Sequence, residues 1–131
     1  MGGSICLDSD FLINLLRGKD EELVFVKEHE LSSTLATTTI NLFELYVGAF
    51  KQKSKKEIEC IDALSESLKL LTLSPQSSKR AGRNYAFLKE RGIEVEFRDV
   101  LIAAITIDAG FSIKTNNEKH FLRIPNILIE V

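Results

Sequence analysis

Acidic side chains with the chemistry of metal-assisted hydrolysis recur at separated places in this sequence. Asp8 and Asp10 end the apolar stretch ICLDSDFL, Glu44 lies in NLFELYVGAF, and Asp99 opens RDVLIAAI. Asn117 follows the stretch FSIKT and adds an amide oxygen. Carboxylate and amide oxygens are the ligands that Mg²⁺ and Mn²⁺ prefer in proteins. The residue types are therefore suited to a divalent metal site.

The same residues also have a purely structural interpretation. Asp8, Asp99 and Asn117 each precede a helical pattern, where aspartate and asparagine are favoured as N-caps. Asn41 and Glu44 have the spacing of a capping box. Burial argues against the structural interpretation for Asp8 and Glu44, because both lie among apolar residues and an unpaired buried carboxylate is costly. A bound metal ion would remove that cost.

Short β-like runs alternate with longer helical patterns, which predicts a single α/β domain over residues 1–131 with a mostly parallel sheet between helices. The predicted strands are Ser4–Leu7, Leu35–Ile40, Lys69–Leu73, Phe111–Thr115 and 126–131. The predicted helices run from about Phe11 to Arg17, over Asp20–His29, through NLFELYVGAF, over Glu57–Leu68 and Pro75–Gly92, through RDVLIAAITIDAG, and briefly at NEKHF. In an open parallel sheet, ligands bind at the carboxyl ends of the strands. Asp8, Glu44, Asp99 and Asn117, which lie at four strand–helix junctions, are therefore expected to converge in one crevice.

Composition narrows the class of protein without assigning a function. The chain is 44% hydrophobic and 27% charged with a net charge of −2, which is typical of one globular domain. Its apolar stretches are shorter than the roughly 20 residues of a membrane span, and its N-terminus lacks a signal-peptide pattern. We therefore expect a cytoplasmic protein. Cys6 and Cys60 are interpreted as small core residues rather than as a disulfide or zinc site.

Four motifs together resemble the PIN-domain ribonucleases, in particular VapC-type toxins of toxin-antitoxin systems. The motifs are LDSDFLINLLRG, INLFELYVGA, RDVLIAAI and IKTNNEKHFLRIPNI, and they span nearly the whole chain in the family's order. The fourth motif carries Asn117 where many relatives have an aspartate, which removes one negative charge and leaves open whether one or two metals bind.

The resemblance implies a metal-dependent ribonuclease in which the catalytic set is Asp8, Glu44, Asp99 and Asn117. Asp8 and Asp99 would bind Mg²⁺ or Mn²⁺ directly, and Glu44 would bind metal or orient water. Thr115 and Asp10 would be outer-shell residues. The resemblance further implies an RNA substrate, an antitoxin protein as partner, and a homodimer, with no membrane association.

Several alternatives remain open at the level of sequence. The chain could be a PIN-domain RNA-processing nuclease without an antitoxin, or a PIN fold kept only for binding. Asp8 and Asp10 also resemble the start of a haloacid-dehalogenase-type phosphatase, with Asp8 as nucleophile, although Leu12 replaces that family's usual threonine. A receiver domain would need a different acidic pattern.

Basic residues and histidines carry less information than the acids. The turn with Lys51, Lys53, Lys55 and Lys56, and the helical group of Lys79, Arg80 and Arg83, are candidates for RNA phosphate contacts or simply for solvated surface. His29 and His120 lack a catalytic motif and are assigned no role.

Overall fold

The structure, a computed structural model, describes residues 3–131 of the chain. Its strands are β1 (Ser4–Leu7), β2 (Thr34–Thr38), β3 (Lys69–Leu71) and β4 (Ser112–Lys114). Its helices are α1 (Ser9–Leu16), α2 (Asp20–His29), α3 (Thr39–Lys51), α4 (Lys55–Ser67), α5 (Pro75–Glu90), α6 (Phe97–Asp108) and α7 (Glu118–Leu122). The strands form a parallel sheet in the order β3-β2-β1-β4. The prediction of an α/β fold with a parallel sheet flanked by helices is confirmed.

The central strand β1 is buried on both faces, and its side chains alternate between two helical layers. Ile5 and Leu7 pack in the core cluster that includes Phe11 of α1. Cys6, which is fully buried, packs on the other face with Ala36 and Ile105. Helices cover both faces of β1. The carboxyl end of this strand is therefore accessible only at the edge of the sheet where each strand is followed by its helix.

Helix α6 carries the most buried face of the described chain. Its buried positions include Val100, Ile102, Ala103 and Ile105, as the nearly continuous apolar sequence predicts. It packs against α5 and also contacts β2, β4 and α3. The first turn of α6 is thereby fixed against the carboxyl ends of the strands.

Helix boundaries follow recognisable local signals. Ser74 and Ser77 form a capping box at the start of α5, with Pro75 as the first helical residue. Gly18 after α1 and Gly92 after α5 have φ of +72° and +69°, the left-handed conformation that glycine adopts without strain.

Three structural expectations were wrong. Residues 126–131 form one isolated parallel bridge, Ile113 with Ile129, instead of a strand, because Pro125 lacks an N–H and Asn126 turns the chain with a φ of +68°. Ile40 lies in α3 rather than in the second strand. Cys60 is exposed on α4 rather than part of the core.

No helix within residues 3–131 is long and apolar enough to cross a membrane.

Candidate metal and nuclease site

Asp8 lies directly after β1, and the end of that strand is held on both sides. The Asp8 amide donates to the carbonyl of Lys114 in β4 (2.9 Å). On the other side, the Thr37 hydroxyl donates to the carbonyl of Leu7 (2.8 Å). The Asp8 residue is only 2% exposed. It occupies the N-cap position of α1, but its side chain makes no capping hydrogen bond, so its carboxylate is directed to other partners.

Asn41 is the main neutral partner of Asp8. Its side-chain amide donates to Asp8 Oδ1 (2.7 Å) and to the Ser9 hydroxyl (2.9 Å). Ser9 in turn donates to Glu44 Oε1 (2.7 Å). This fully buried asparagine therefore links the acid at the end of β1 to the acid on α3.

The structure corrects the capping box expected at Asn41 and Glu44. Helix α3 begins three residues earlier than that box implies, and Thr38 is its N-cap, accepting a hydrogen bond from the Asn41 amide (3.1 Å). The Thr38 hydroxyl also donates to Asn41 Oδ1 (2.6 Å), which fixes the orientation of the side-chain amide. Since Thr38 supplies the cap, Glu44 has no capping function and points toward Ser9 and Arg98.

Asp99 is the third residue of α6 and not its N-cap, which is Glu96. The alternative interpretation of Asp99 as an N-cap is therefore wrong. It is 2% exposed, and its Oδ2 lies 3.7 Å from Nδ1 of His120. Burial raises the pKa of Asp99 above its usual range, and the positive charges of Arg98 and His120 offset part of that effect. The structure thus puts Arg98 beside Oδ1 of this acid and the His120 ring beside Oδ2.

Arg98 joins the three acids that come from distant parts of the chain. It bonds Glu44 through Nε and also through Nη2 (Nη2 to Oε1, 2.7 Å), Asp99 through Nη1, and Asp8 through Nη2 (3.3 Å). Burial by itself lowers the pKa of Arg98. The hydrogen bonds to Glu44 and the negative charges of all three acids outweigh burial, so the pKa of Arg98 is raised above its usual value. One guanidinium therefore compensates part of a local charge of −3.

Thr115 and Asp10 form a second layer beside Asp8. The Thr115 hydroxyl donates to Asp8 Oδ2 (2.8 Å) and lies 3.3 Å from both Asp10 oxygens. Asp10 also accepts hydrogen bonds from the amides of Phe11 (2.7 Å) and Asn116 (3.2 Å). Burial raises the pKa of Asp10, with a further rise from the Asp8 charge, while these amides lower it in part. Asp10 thus ties α1 to the loop after β4.

Asn117, unlike the other expected site residues, makes no side-chain hydrogen bond to the acid cluster. Its backbone amide donates to the Thr115 hydroxyl (3.0 Å), but its exposed side chain makes no hydrogen bond within residues 3–131 and does not cap α7. The structure therefore brings Asp8, Glu44, Asp99, Thr115 and Asp10 together and leaves the Asn117 amide at the rim.

The donor set suits a hard divalent cation in composition, because three carboxylates and a threonine hydroxyl supply only oxygen ligands. The arrangement is less suitable: among the described residues, no three His, Cys, Asp or Glu side chains have their donor atoms placed for one shared ion. The reason lies in the ion pairs above, since the Arg98 guanidinium takes up the space between the carboxylates.

A cavity of about 340 Å³ opens beside Asp99 and is lined by both acids and cations. Its cationic lining comes from Lys89 and Arg123, with His120 at the side of Asp99. Arg80, one of the basic residues considered from the sequence for RNA phosphate contacts, forms an ion pair with Asp108 (2.6 Å). The carboxylates of Glu94, Glu96 and Asp99 line the same cavity, so an entering phosphate would meet charges of both signs.

Sequence reasoning missed Arg98, the partner role of Asn41 and the proximity of His120 to Asp99. The RD step in RDVLIAAI was visible, but adjacency in sequence does not tell which way an arginine folds. The sequence pattern indicates only a capping role for Asn41. Its contact with Asp8 joins residues 33 positions apart, which no local pattern predicts.

Comparison with known proteins agrees with this geometry. Residues 5–127 match the PIN domain family, and the chain belongs to that family. Ribonuclease VapC2 of Rickettsia felis is 31% identical over 100 residues, which cover 76% of this chain and 75% of that protein. The tRNA(fMet)-specific endonuclease VapC of Salmonella typhimurium is 28% identical over 125 residues, covering 95% and 94% of the two chains.

The fold is also similar to a solved structure of VapBC2 from Rickettsia felis bound to a DNA fragment from its promoter. The TM-score is 0.89 at 26% identity, and the alignment covers 97% of each chain. The family match removes the phosphatase and receiver-domain alternatives, which belong to other folds and families.

Proposed function

We propose that this protein is a metal-dependent ribonuclease that hydrolyses RNA phosphodiester bonds. The observation that carries the proposal is that three carboxylates, from the end of β1, from α3 and from α6, converge on a single cation. Three carboxylates brought to one place supply the oxygen ligands that a divalent metal site uses, once the Arg98 guanidinium no longer lies between them. The RNA substrate is inferred from similarity to proteins named ribonucleases and a tRNA endonuclease.

The residues that would hold Mg²⁺ or Mn²⁺ are Asp8 and Asp99, with Glu44 binding metal or orienting water. When bound there, such an ion would supply Lewis-acid chemistry, polarising the phosphodiester and lowering the pKa of a bound water. Asn41 and Ser9 keep Asp8 and Glu44 in register through the hydrogen bonds described above. Thr115 orients Asp8 from its other oxygen, and Asn117 at the rim, together with Asp10, would position outer-shell water or the phosphate.

Electrostatics supports the need for a cation. The three acids bring a charge of −3, and within residues 3–131 Arg98 is the one arginine or lysine paired with them, so a phosphate entering this site would meet net negative charge. A divalent ion reverses the local field and makes phosphate binding favourable.

The proposal extends to an antitoxin partner and to action in the cytoplasm, where its RNA would be found. The similar solved structures include a member of the VapBC family of toxin-antitoxin systems, VapBC-5 from Mycobacterium tuberculosis. In this chain, a groove of about 240 Å³ lies between α1, α3 and α4, with an apolar wall that includes Ile13, Leu16, Leu45 and Ile61 and with Glu44 at one end. An amphipathic segment of an antitoxin would fit this groove and reach the acids. The homodimer stays a prediction, which sedimentation at micromolar concentration tests.

The experiment is RNA cleavage by the purified protein with Mg²⁺, with Mn²⁺ and with a chelator. Cleavage is expected only with metal, and Asp99→Asn is expected to lower the rate by at least about a hundredfold because it removes a ligand charge. Asp20→Asn, an equal change on the exposed start of α2, serves as control. Cleavage that persists in the chelator, or in Asp99→Asn, contradicts the proposal.

One observation favours a second candidate, a PIN fold that binds a partner without cleaving RNA. Arg98 already neutralises part of the acid cluster, and a binding module would need no metal. Calorimetric titration with Mg²⁺ separates the two, since heat of binding that is lost in Asp99→Asn supports the nuclease.

A further inference from the structure

Arg98 uses all of its guanidinium nitrogens on the same acids that the proposed function assigns to metal. Nε and Nη2 both reach Glu44, Nη1 reaches Asp99, and Nη2 also lies 3.3 Å from Asp8. Planar, forked guanidinium groups match carboxylates in this bidentate manner. The arginine is therefore specifically bound by the cluster rather than passing near it.

The oxygens that Arg98 takes are the oxygens that a metal ion would need. Both Glu44 oxygens, Oδ1 of Asp8 and Oδ1 of Asp99 accept hydrogen bonds from the guanidinium. The remaining Asp8 oxygen accepts from the Thr115 hydroxyl. A metal ion and the guanidinium cannot both occupy this space, because two cations would be pushed together at contact distance.

Arg98 is also able to leave the cluster without disturbing the core. It sits in the first turn of α6, its side chain is 26% exposed, and a long flexible stem separates the charge from the helix backbone. The acids themselves are held by other contacts: Asp8 by Asn41 and Thr115, and Glu44 by Ser9. The guanidinium can therefore swing into solvent while the carboxylates keep their places.

We infer that Arg98 is a built-in counter-ion that competes with the divalent metal for Asp8, Glu44 and Asp99. In the metal-free protein the guanidinium closes the cluster and relieves repulsion among the acids, and metal binds only in the fraction of molecules in which Arg98 has swung out. This inference rests on the proposed metal site. The apparent metal affinity is expected to equal the intrinsic affinity of the acids multiplied by the fraction of molecules in which Arg98 has swung out.

The test is calorimetric titration of the full chain with Mn²⁺, comparing wild type with Arg98→Met, which keeps a long apolar stem and removes the charge. The variant is expected to bind Mn²⁺ at least about tenfold more tightly, on the premise that the open fraction is a tenth or less. Arg83→Met, the same change at an exposed position of α5, is the control for net charge and is expected to match wild type.

A second measurement needs no variant and covers the case in which Arg98→Met does not fold. In wild type, the Nε–H of Arg98 is hydrogen-bonded to Glu44 and is expected to give an NMR signal protected from exchange, which is lost on saturation with Mg²⁺. Equal Mn²⁺ affinity in wild type and Arg98→Met, or an Arg98 signal unchanged by Mg²⁺ that does bind, overturns the counter-ion role and leaves the proposed metal site standing. Absence of metal binding in both proteins overturns the metal site and the counter-ion role with it.

Discussion

The two aspartates of ICLDSDFL have different surroundings although one residue separates them. Asp8 directs one oxygen to Asn41 and Arg98 and the other to Thr115, so it belongs to the acid cluster. Asp10 accepts backbone hydrogen bonds from Phe11 and Asn116 and supports the loop after β4. The Asp-x-Asp spacing also allows a nucleophile with an acid partner. The structure instead shows one acid inside the cluster, Asp8, and one that supports the neighbouring loop, Asp10.

Asn41 gives the first prediction at the residue scale. Asn41→Leu has similar volume but removes both donors, which leaves Asp8 Oδ1 and the Ser9 hydroxyl without their partner. Outer partners of ligand residues typically contribute ten- to a hundredfold, so Mn²⁺ affinity and RNA cleavage are each expected to fall by about that factor. Both are measured on the purified variant, by calorimetry and by initial cleavage rate.

Asn84 offers a matched control for that substitution. It is buried on α5, and its side-chain nitrogen has no hydrogen-bond partner in the described chain, so Asn84→Leu removes no contact of that nitrogen. Asn84→Leu should leave metal affinity and cleavage as in wild type. If Asn41→Leu binds metal and cleaves RNA as wild type does, Asn41 does not position Asp8.

At the element scale, the site depends on where two helices, α3 and α6, begin. Thr38 starts α3 early enough to put Asn41 in its first turn and Glu44 in its second, and Glu96 starts α6 so that Arg98 and Asp99 both face the sheet edge. The sequence predicted these helices, but not their first residues, because several polar residues in each stretch could serve as caps. The two wrong cap assignments hid the contacts that Asn41 and Arg98 make.

Helix α3 also carries the prediction for the antitoxin groove. Gly48 lies in the groove wall, and a Cβ added there would meet no atom within 4 Å, so Gly48→Leu fits the fold and fills the groove. Affinity for the proposed antitoxin partner, to be sought as the product of a gene adjacent to this one, is expected to fall at least about tenfold, or ~1.4 kcal/mol. A titration of the two purified proteins measures it.

Gly82→Leu is the matched control for Gly48→Leu. Gly82 is also a helical glycine with open space at its Cβ, but it lies on α5, away from the groove. Both changes are expected to favour the helix by up to about 1 kcal/mol, so their difference reports on the groove alone. Unchanged partner binding in Gly48→Leu would place the partner elsewhere.

At the scale of the whole molecule, the parallel order β3-β2-β1-β4 explains how distant residues meet. Asp8 follows β1, α3 follows β2, and Thr115 follows β4, so their side chains share one edge of the sheet. Strand alternation with helices, and hence this convergence of Asp8 with Glu44 and Asp99, could be predicted from sequence. The Arg98 ion pairs could not, because side-chain direction depends on tertiary packing that no local pattern encodes.

The most direct test of the account is a crystal structure of the protein grown with Mn²⁺ and measured at a wavelength where manganese scatters anomalously. We predict an anomalous peak about 2 Å from carboxylate oxygens of Asp8 and Asp99, with Glu44 beside it and the Arg98 guanidinium displaced from its present contacts. The crystals are grown at an Mn²⁺ concentration that saturates binding in solution. A structure that then shows no peak at these acids, with Arg98 still bonded to all three, would contradict the account.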